Sequence, residues 1–309
     1  MRREGRAAID VRREEMLALA QAEIDAKAIL SGQKLLLPDG TLVNQQSERN
    51  AVLLSKQNFP PAQLPYIAEV AERNASAESI RREISISKAV LHAEEELAQD
   101  PQEPPETQPS DDWLLRWREC AAGVSSDDLQ SLWGRVLAGE VKRSGHYSLR
   151  TLEFLRNLSR DEAKAIEKVS PFVVNDVIYR DAKTLLESEG VSFSLLLVLQ
   201  EIGIVSGVEA LGLEISWSSQ WPNRFQQVLI SYGSILLVTH ADPAKTLKVQ
   251  IYQITGLGRQ LLRLGKFKAN DAYLLELGTA IKAQGFDVQI GSCVPAGENQ
   301  INLSNMQSL

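Results

Sequence analysis

The 309-residue chain carries only two cysteines, three histidines and three methionines, and aromatic residues make up 6% of it. Cys120 and Cys293 stand far apart, which suits a reducing compartment rather than a disulfide framework and predicts a cytoplasmic protein. No apolar run reaches the roughly 18 residues that a membrane helix needs. The opening MRREGRAAID has no apolar signal core. It reads as the middle of a charged helix, which leaves open a start further upstream and, with it, a membrane-acting effector whose first segment lies outside this chain. An excess of basic charge is also missing. The net charge of −7 argues against bulk attraction to nucleic acid or anionic lipid, so that only a local basic patch could serve such a role.

Catalytic templates are missing too. His92, His146 and His240 lie in three separate segments, none with a second histidine or cysteine two to four residues on, and zinc sites need such local pairing. Cys120 falls on an apolar helical face, where cysteine acts as inert filler. Ser231 and Ser234 lack the Gly-x-Ser-x-Gly elbow of hydrolases. The stretch GLGRQLL follows a strand and opens a helix, but it has no third glycine and no distal acid, so it reads as a turn and not as a dinucleotide loop. Asp111-Asp112 and Asp127-Asp128 sit at expected helix starts, where they complement the helix dipole. The expectation is a protein without catalytic residues, cofactor or metal.

What the chain does have is helical pattern. Arg2 to Leu30 is rich in helix formers, with a thin apolar stripe of Ile9, Met16, Leu17, Ala20 and Ile24, the mark of a solvated helix that pairs through one face. Pro38-Asp39-Gly40 marks a turn between two short apolar runs. One or two amphipathic helices follow within residues 58–97. Residues 98–111 hold four prolines and several acids without apolar periodicity, the composition of a linker and the expected boundary between an N-terminal helical region, 1–97, and a helical array, 112–190. In the array, Trp113, Leu114, Trp117 and Cys120 share one helical face. The next helix is expected to be capped by Ser125, stapled by Val124 and Leu129, and stopped at Gly139. Ser148 caps another, with Leu149, Leu152, Phe154 and Leu155 inward. Ser159 and Glu162 open a third as a capping box, ending before Pro171.

From residue 191 to 309 the period changes and a mixed region begins. SFSLLLVLQEIGIV reads as a helix buried all round and ended at Gly203, followed by a strand. LEISWSS, FQQVLISY, SILLVTH and KVQIYQIT are β-rich runs, with Tyr232-Gly233 as a hairpin turn. A helix capped by Asn270 and stopped at Gly285 precedes a last strand, FDVQIGSCV, and the tail after Pro295 is expected to be loose. The fold class is α+β with a small antiparallel sheet. The order LLLVLQEIGIV, strands, then KVQIYQITGLGRQLL resembles a winged-helix layout with an inserted sheet. A helix that reads DNA needs polar and basic side chains, and this one offers Ser192, Ser194, Gln200 and Glu201 with no Lys or Arg.

The motif Asp-Trp, then Leu-Trp-x-x-Val-Leu-Ala-Gly-Glu, then Ser-Leu-Arg-Thr-Leu, within residues 112–163, resembles a bacterial family without assigned function, domain of unknown function twenty-eight-oh-six. The resemblance implies a bacterial, largely helical protein and supplies no site residues. One stretch stands out as a contact surface. Arg135, Lys142, Arg143, His146 and Arg150 crowd around the loop EVKRSGHYS, and loops held by rigid helices commonly bind partners. They are the candidate residues for a partner or a phosphate, against the plainer reading of a solvated helix corner in which Glu140, Glu153, Asp161 and Glu162 cancel the charge. The leading expectation is a non-enzymatic interaction or assembly protein that self-associates or binds a protein partner through its N-terminal helices and this corner. Anti-phage defence is one setting for such a protein. The alternative is a winged-helix nucleic-acid binder using Arg135, Lys142, Arg143 and Arg150.

Overall fold

Serine and asparagine side chains set where half of the described helices begin. In the computed structural model of the chain, Ser110, Ser126, Ser159, Ser192 and Asn270 stand in extended backbone just ahead of a helix. Each accepts a hydrogen bond from a backbone N–H of its first turn. The structure describes residues 2–37, 39–44, 64–99, 107–209, 213–297 and 300–309. Over these the protein is α+β, and it divides into two units, Met1–Glu153 and Phe154–Leu309.

The first unit contains α1 (Arg2–Leu30), a hairpin of β1 (Lys34–Leu36) and β2 (Leu42–Asn44), α2 (Leu64–Ala98), α3 (Asp111–Ala122) and α4 (Asp127–Lys142). The division between units falls inside α5 (Leu149–Asn157). The β1–β2 turn forms as its sequence predicts: Gly40 takes φ +84° and the Asp39 carboxylate accepts from the Thr41 N–H at 2.9 Å. Pro38 lies outside the described residues, as do 45–63 and 100–106 of the proline-rich linker. Among the described residues, the expected one or two helices within 58–97 are one helix, α2.

α1 meets α2 on a different face from the expected stripe. Ala26 and Ile29 are buried while Leu17 and Ile24 are exposed. Ala26 lies beside Arg81, Ile84 and Ser85 of α2, so the buried face of α1 includes a small residue as well as Ile29. The Lys88 ammonium reaches the Glu23 carboxylate across the pair at 2.8 Å. α2 also packs on α3 and α4, which follow the linker. Where α2 and α4 meet, a Cβ placed on Gly134 would lie 2.5 Å from the His92 Cβ and 2.8 Å from the Ala89 carbonyl oxygen. Trp113, Trp117 and Cys120 on α3 are buried as their spacing predicts.

Two details of α4 differ from expectation. Ser126, not Ser125, is the N-cap, and Leu129 is exposed rather than stapled. The helix also runs through Gly139 to Lys142. Glycine is needed there for space: a Cβ would lie 2.6 Å from Tyr147 Cε2. On α5, Leu152 and Leu155 are buried but Leu149 is exposed.

The second unit opens with α6 (Arg160–Val169), whose Ser159–Glu162 capping box is complete. It continues through β3 (Val177–Tyr179), α7 (Lys183–Ser188), α8 (Phe193–Glu201), β4 (Val205–Ser206), β5 (Leu213–Trp217), β6 (Phe225–Ser231), β7 (Ser234–His240) and β8 (Leu247–Ile254). Then come α9 (Gly256–Leu262), α10 (Asp271–Ala283), β9 (Asp287–Gly297) and β10 (Gln300–Ser308). β8 pairs antiparallel with β3, β4 and β5. The other sheet, also antiparallel, has the order β10-β9-β7-β6. Alternation along β6 buries Phe225, Gln227, Leu229 and Ser231. α10 lies against β7 and β9, where Gly278 leaves room for Leu236, Val288 and Leu309.

Two expectations are corrected here. α8 is not buried all round: Leu196 and Leu199 are buried, but Phe193 is 52% and Val198 43% exposed, since a short helix against one layer can bury only one stripe. The tail after Pro295 is not loose. Its backbone groups find partners along β9 and form β10, with a register shift near Asn305, which takes φ +55°.

Candidate functional site

The basic corner named by the sequence is organised around an acid. Glu140 is 2% exposed. Its Oε1 accepts from the Gly145 N–H at 2.6 Å and its Oε2 from the Tyr147 N–H at 2.8 Å. Short bonds of this kind, with an ionised acceptor, are about twice as strong as neutral ones. The loop is held from the other side as well, because the Trp113 indole N–H donates to the Tyr147 carbonyl at 2.7 Å. One turn further along α3, the Trp117 indole N–H donates to the Trp133 carbonyl at 2.9 Å. Gly145, at φ +81°, makes the bend that a side chain would resist.

Around this clamp the five sequence candidates are spread out. Arg135 and Lys142 are half-buried on α4, seven residues and thus about 10 Å apart along its axis. Arg143 and Arg150 are exposed and His146 is half-buried, its ring edge-on to Tyr147 at 4.7 Å. Beyond the charge it sets against the basic patch, Glu140 is the group that shapes the loop.

A cleft lies in the second unit, where sequence reading placed no site. It has a volume of about 570 Å³ and is lined by Asn175, Asp176, Ser231, Tyr232, Arg259 and Arg263 among others, within the size range of small-ligand sites. Two tight turns build one side. Asn175 and Asp176 take φ +45° and +63°, and the Val174 and Val177 backbones exchange hydrogen bonds across them at 2.9 and 3.0 Å. This is a two-residue hairpin made without glycine. Tyr232 and Gly233, at φ +42° and +89°, form the other turn, between β6 and β7 as predicted. Left-handed backbone at non-glycine residues costs energy and concentrates at functional positions.

Side-chain bonds hold the first turn in place. Asn175 Oδ1 accepts from the Ile230 N–H at 2.8 Å, and its Nδ2 donates to the Val228 carbonyl at 2.9 Å. Opposite stand Arg259 on α9 and Arg263, the residue that caps its C-terminus, four residues apart and therefore on one side. Arg259 Nε stands 3.8 Å from Asp176 Oδ2. Burial, aided by the Asp176 carboxylate, pushes the Tyr232 phenol well above its ordinary pKa, so at neutral pH it is a hydrogen-bond donor. Ser231 is buried, and its Oγ has no hydrogen-bond partner among the described residues. The sequence did hold a signal for this site: VVNDVI sets an Asn-Asp pair between β-branched residues, a hairpin pattern.

Among the described residues no group of three or more His, Cys, Asp or Glu side chains could hold a metal ion, and no helix is long and apolar enough to cross a membrane. Neither Cys120 nor Cys293 is in a disulfide, and burial pushes the Cys293 thiol above its ordinary value, which makes it a poor nucleophile at neutral pH. Residues 70–278 match a family model described as a protein of unknown function, DUF2806. Neither the curated proteins nor the solved structures contain a match.

Proposed function

The chain belongs to the DUF2806 family, matched over residues 70–278, and from that premise we propose that it is a non-enzymatic assembly protein that pairs with a second copy of itself through β10. The observation that carries this reading is the state of that strand. It is the edge of its sheet, and residues 300–308 include no charged residue and no proline, the features that normally block an edge. β7 pairing ends at Ser234–Ser292, while β9 and β10 remain paired out to Gly297–Gln300. On this two-stranded extension Val294 is 59% and Leu303 41% exposed. A lone two-stranded ribbon is marginal in water. A two-fold axis would lay β10 antiparallel to its copy, each strand supplying the other's missing backbone partners, with no charge to repel the match.

Sedimentation of the full chain at micromolar concentration tests this. The wild type is expected at twice the 34.2 kDa of one chain, and the Ile301→Lys, Leu303→Lys variant at the mass of one. A monomeric wild type, or a variant that still dimerises, overturns the assignment to β10. The N-terminal helices are the rival surface, since Leu17 and Ile24 on α1 are exposed. Loss of the dimer in Leu17→Lys, Ile24→Lys alone would move the interface there.

Nucleic-acid binding by a winged-helix arrangement is the less favoured reading, because α8 exposes Phe193 and Val198 and carries no Lys or Arg. Binding through Arg135, Lys142, Arg143 and Arg150 would fall steeply with salt. The setting that goes with the assembly reading is the bacterial cytoplasm and an accessory role in phage defence. Equal plaque counts with and without the gene would remove that role.

A further inference from the structure

The cleft between the two turns and α9 is independent of β10 pairing, and it has the chemistry of a ligand site. We propose that it binds a small organic phosphate, with Arg259 and Arg263 on the phosphate and the turn side of the cleft on a hydroxyl-bearing body. Three features favour this ligand class. Donors dominate the polar lining: two guanidiniums, the Tyr232 phenol and the Ser231 hydroxyl face one carboxylate, Asp176. That is a local positive excess in a chain whose net charge is −7. Guanidinium pairs suit phosphate because their planar N–H forks match its oxygens.

The second feature is an incomplete contact. Arg259 and Asp176 are the only ion pair recorded in the cleft among the described residues, and their 3.8 Å separation is too long for a hydrogen bond. Arg259 therefore has donor capacity left for a phosphate oxygen, and Asp176 can accept from a ligand hydroxyl. The third feature is the rigid left-handed backbone. Asn175, Asp176 and Tyr232 all hold positive φ, and Asn175 is bonded into β6, so the turn side is already ordered before a ligand arrives. Val173, Ile230 and Leu262 supply apolar wall, enough for the carbon skeleton of a sugar or the flat face of a base.

Calorimetric titration of the full chain with ribose 5-phosphate, adenosine 5′-monophosphate and inorganic phosphate tests the proposal, with ribose and adenosine as uncharged controls. At least one phosphate ester should bind, its uncharged counterpart should not, and Arg259→Ala, Arg263→Ala should weaken binding at least tenfold. Arg263 is exposed and Arg259 half-buried, so the unfolding curve of the double variant is measured alongside, and the single Arg263→Ala variant, which should keep the wild-type curve, is expected to weaken binding in the same direction. Ser231→Ala should weaken the ester more than inorganic phosphate. The proposal fails if none of the esters binds at millimolar concentration, if the double variant binds as tightly as wild type, or if adenosine binds as well as its phosphate. It fails equally if a short DNA duplex binds while ribose 5-phosphate does not, since the phosphates recognised would then belong to a nucleic acid.

Discussion

The His92 Cβ lies 2.5 Å from the point where a side chain on Gly134 would begin. This contact joins α2, which precedes the proline-rich linker, to α4, which follows it. Prolines break secondary structure because they fix φ and remove a donor, but they do not break packing, and the helices on either side of residues 98–111 share one unit. Gly134→Ala is expected to force α2 and α4 apart and to cost about 1–3 kcal/mol. Urea unfolding of the full chain checks it, and an unchanged midpoint would mean the two helices are not locked together here.

Glu140 is the keystone of the corner. Glu140→Gln keeps the shape but removes the charge and sets an N–H against one of the two backbone donors. The expected cost is about 1–3 kcal/mol, with faster amide exchange at Gly145 and Tyr147 as the specific sign. Arg143→Ala, an exposed neighbour, should leave both readouts where they were.

Buried Tyr273 anchors the second unit by accepting from the Tyr179 N–H at 2.5 Å. Tyr273→Phe leaves that N–H without its partner and is expected to cost about 1–3 kcal/mol. Burial holds the Tyr273 phenol well above its ordinary value. A raised folded-state pKa means that stability is intact below the unfolded value of about 10 and is lost as pH rises beyond it. Tyr273→Phe should remove this part of the alkaline loss.

Acid acts at another place. The Lys88 ammonium, through its hydrogen bond to Glu23 and against the opposing effect of burial, holds the Glu23 carboxyl below the usual carboxylate range, with Lys27 assisting. A depressed folded-state pKa gives stability that is present above the unfolded value of about 4.3 and lost as pH falls through the folded one. Lys88→Met should therefore be less stable than wild type at neutral pH, and the two stability curves should converge toward acid. Parallel curves would rule the pair out as a source of the pH dependence.

Local chemistry was legible in the sequence, and three-dimensional neighbours were not. Ser159 with Glu162, Asn270 and the Tyr232-Gly233 turn could be read because the groups that satisfy them lie within a few residues. Gly139 was misread as a stop because its reason, the Tyr147 ring, arrives from a loop that closes only in the fold. The α1 stripe differs because Ala26, which scores low on hydropathy, is buried while Leu17 and Ile24 are exposed, and a hydropathy pattern does not show which face a neighbouring helix will cover. The cleft escaped for a similar reason: its arginines lie some eighty residues from Asn175 and Asp176, and only the fold brings them together.

The clamp on the corner loop also makes that loop a clock. Lys142 and Arg143 offer trypsin two cleavage points beside a segment whose N–H groups are tied to Glu140. A protease must draw an extended strand into its groove, so cutting after Arg143 waits for the carboxylate to let go. When reclosing outpaces cutting, the rate of nicking counts the fraction of molecules with the loop undocked, a readout that needs no knowledge of what the protein binds.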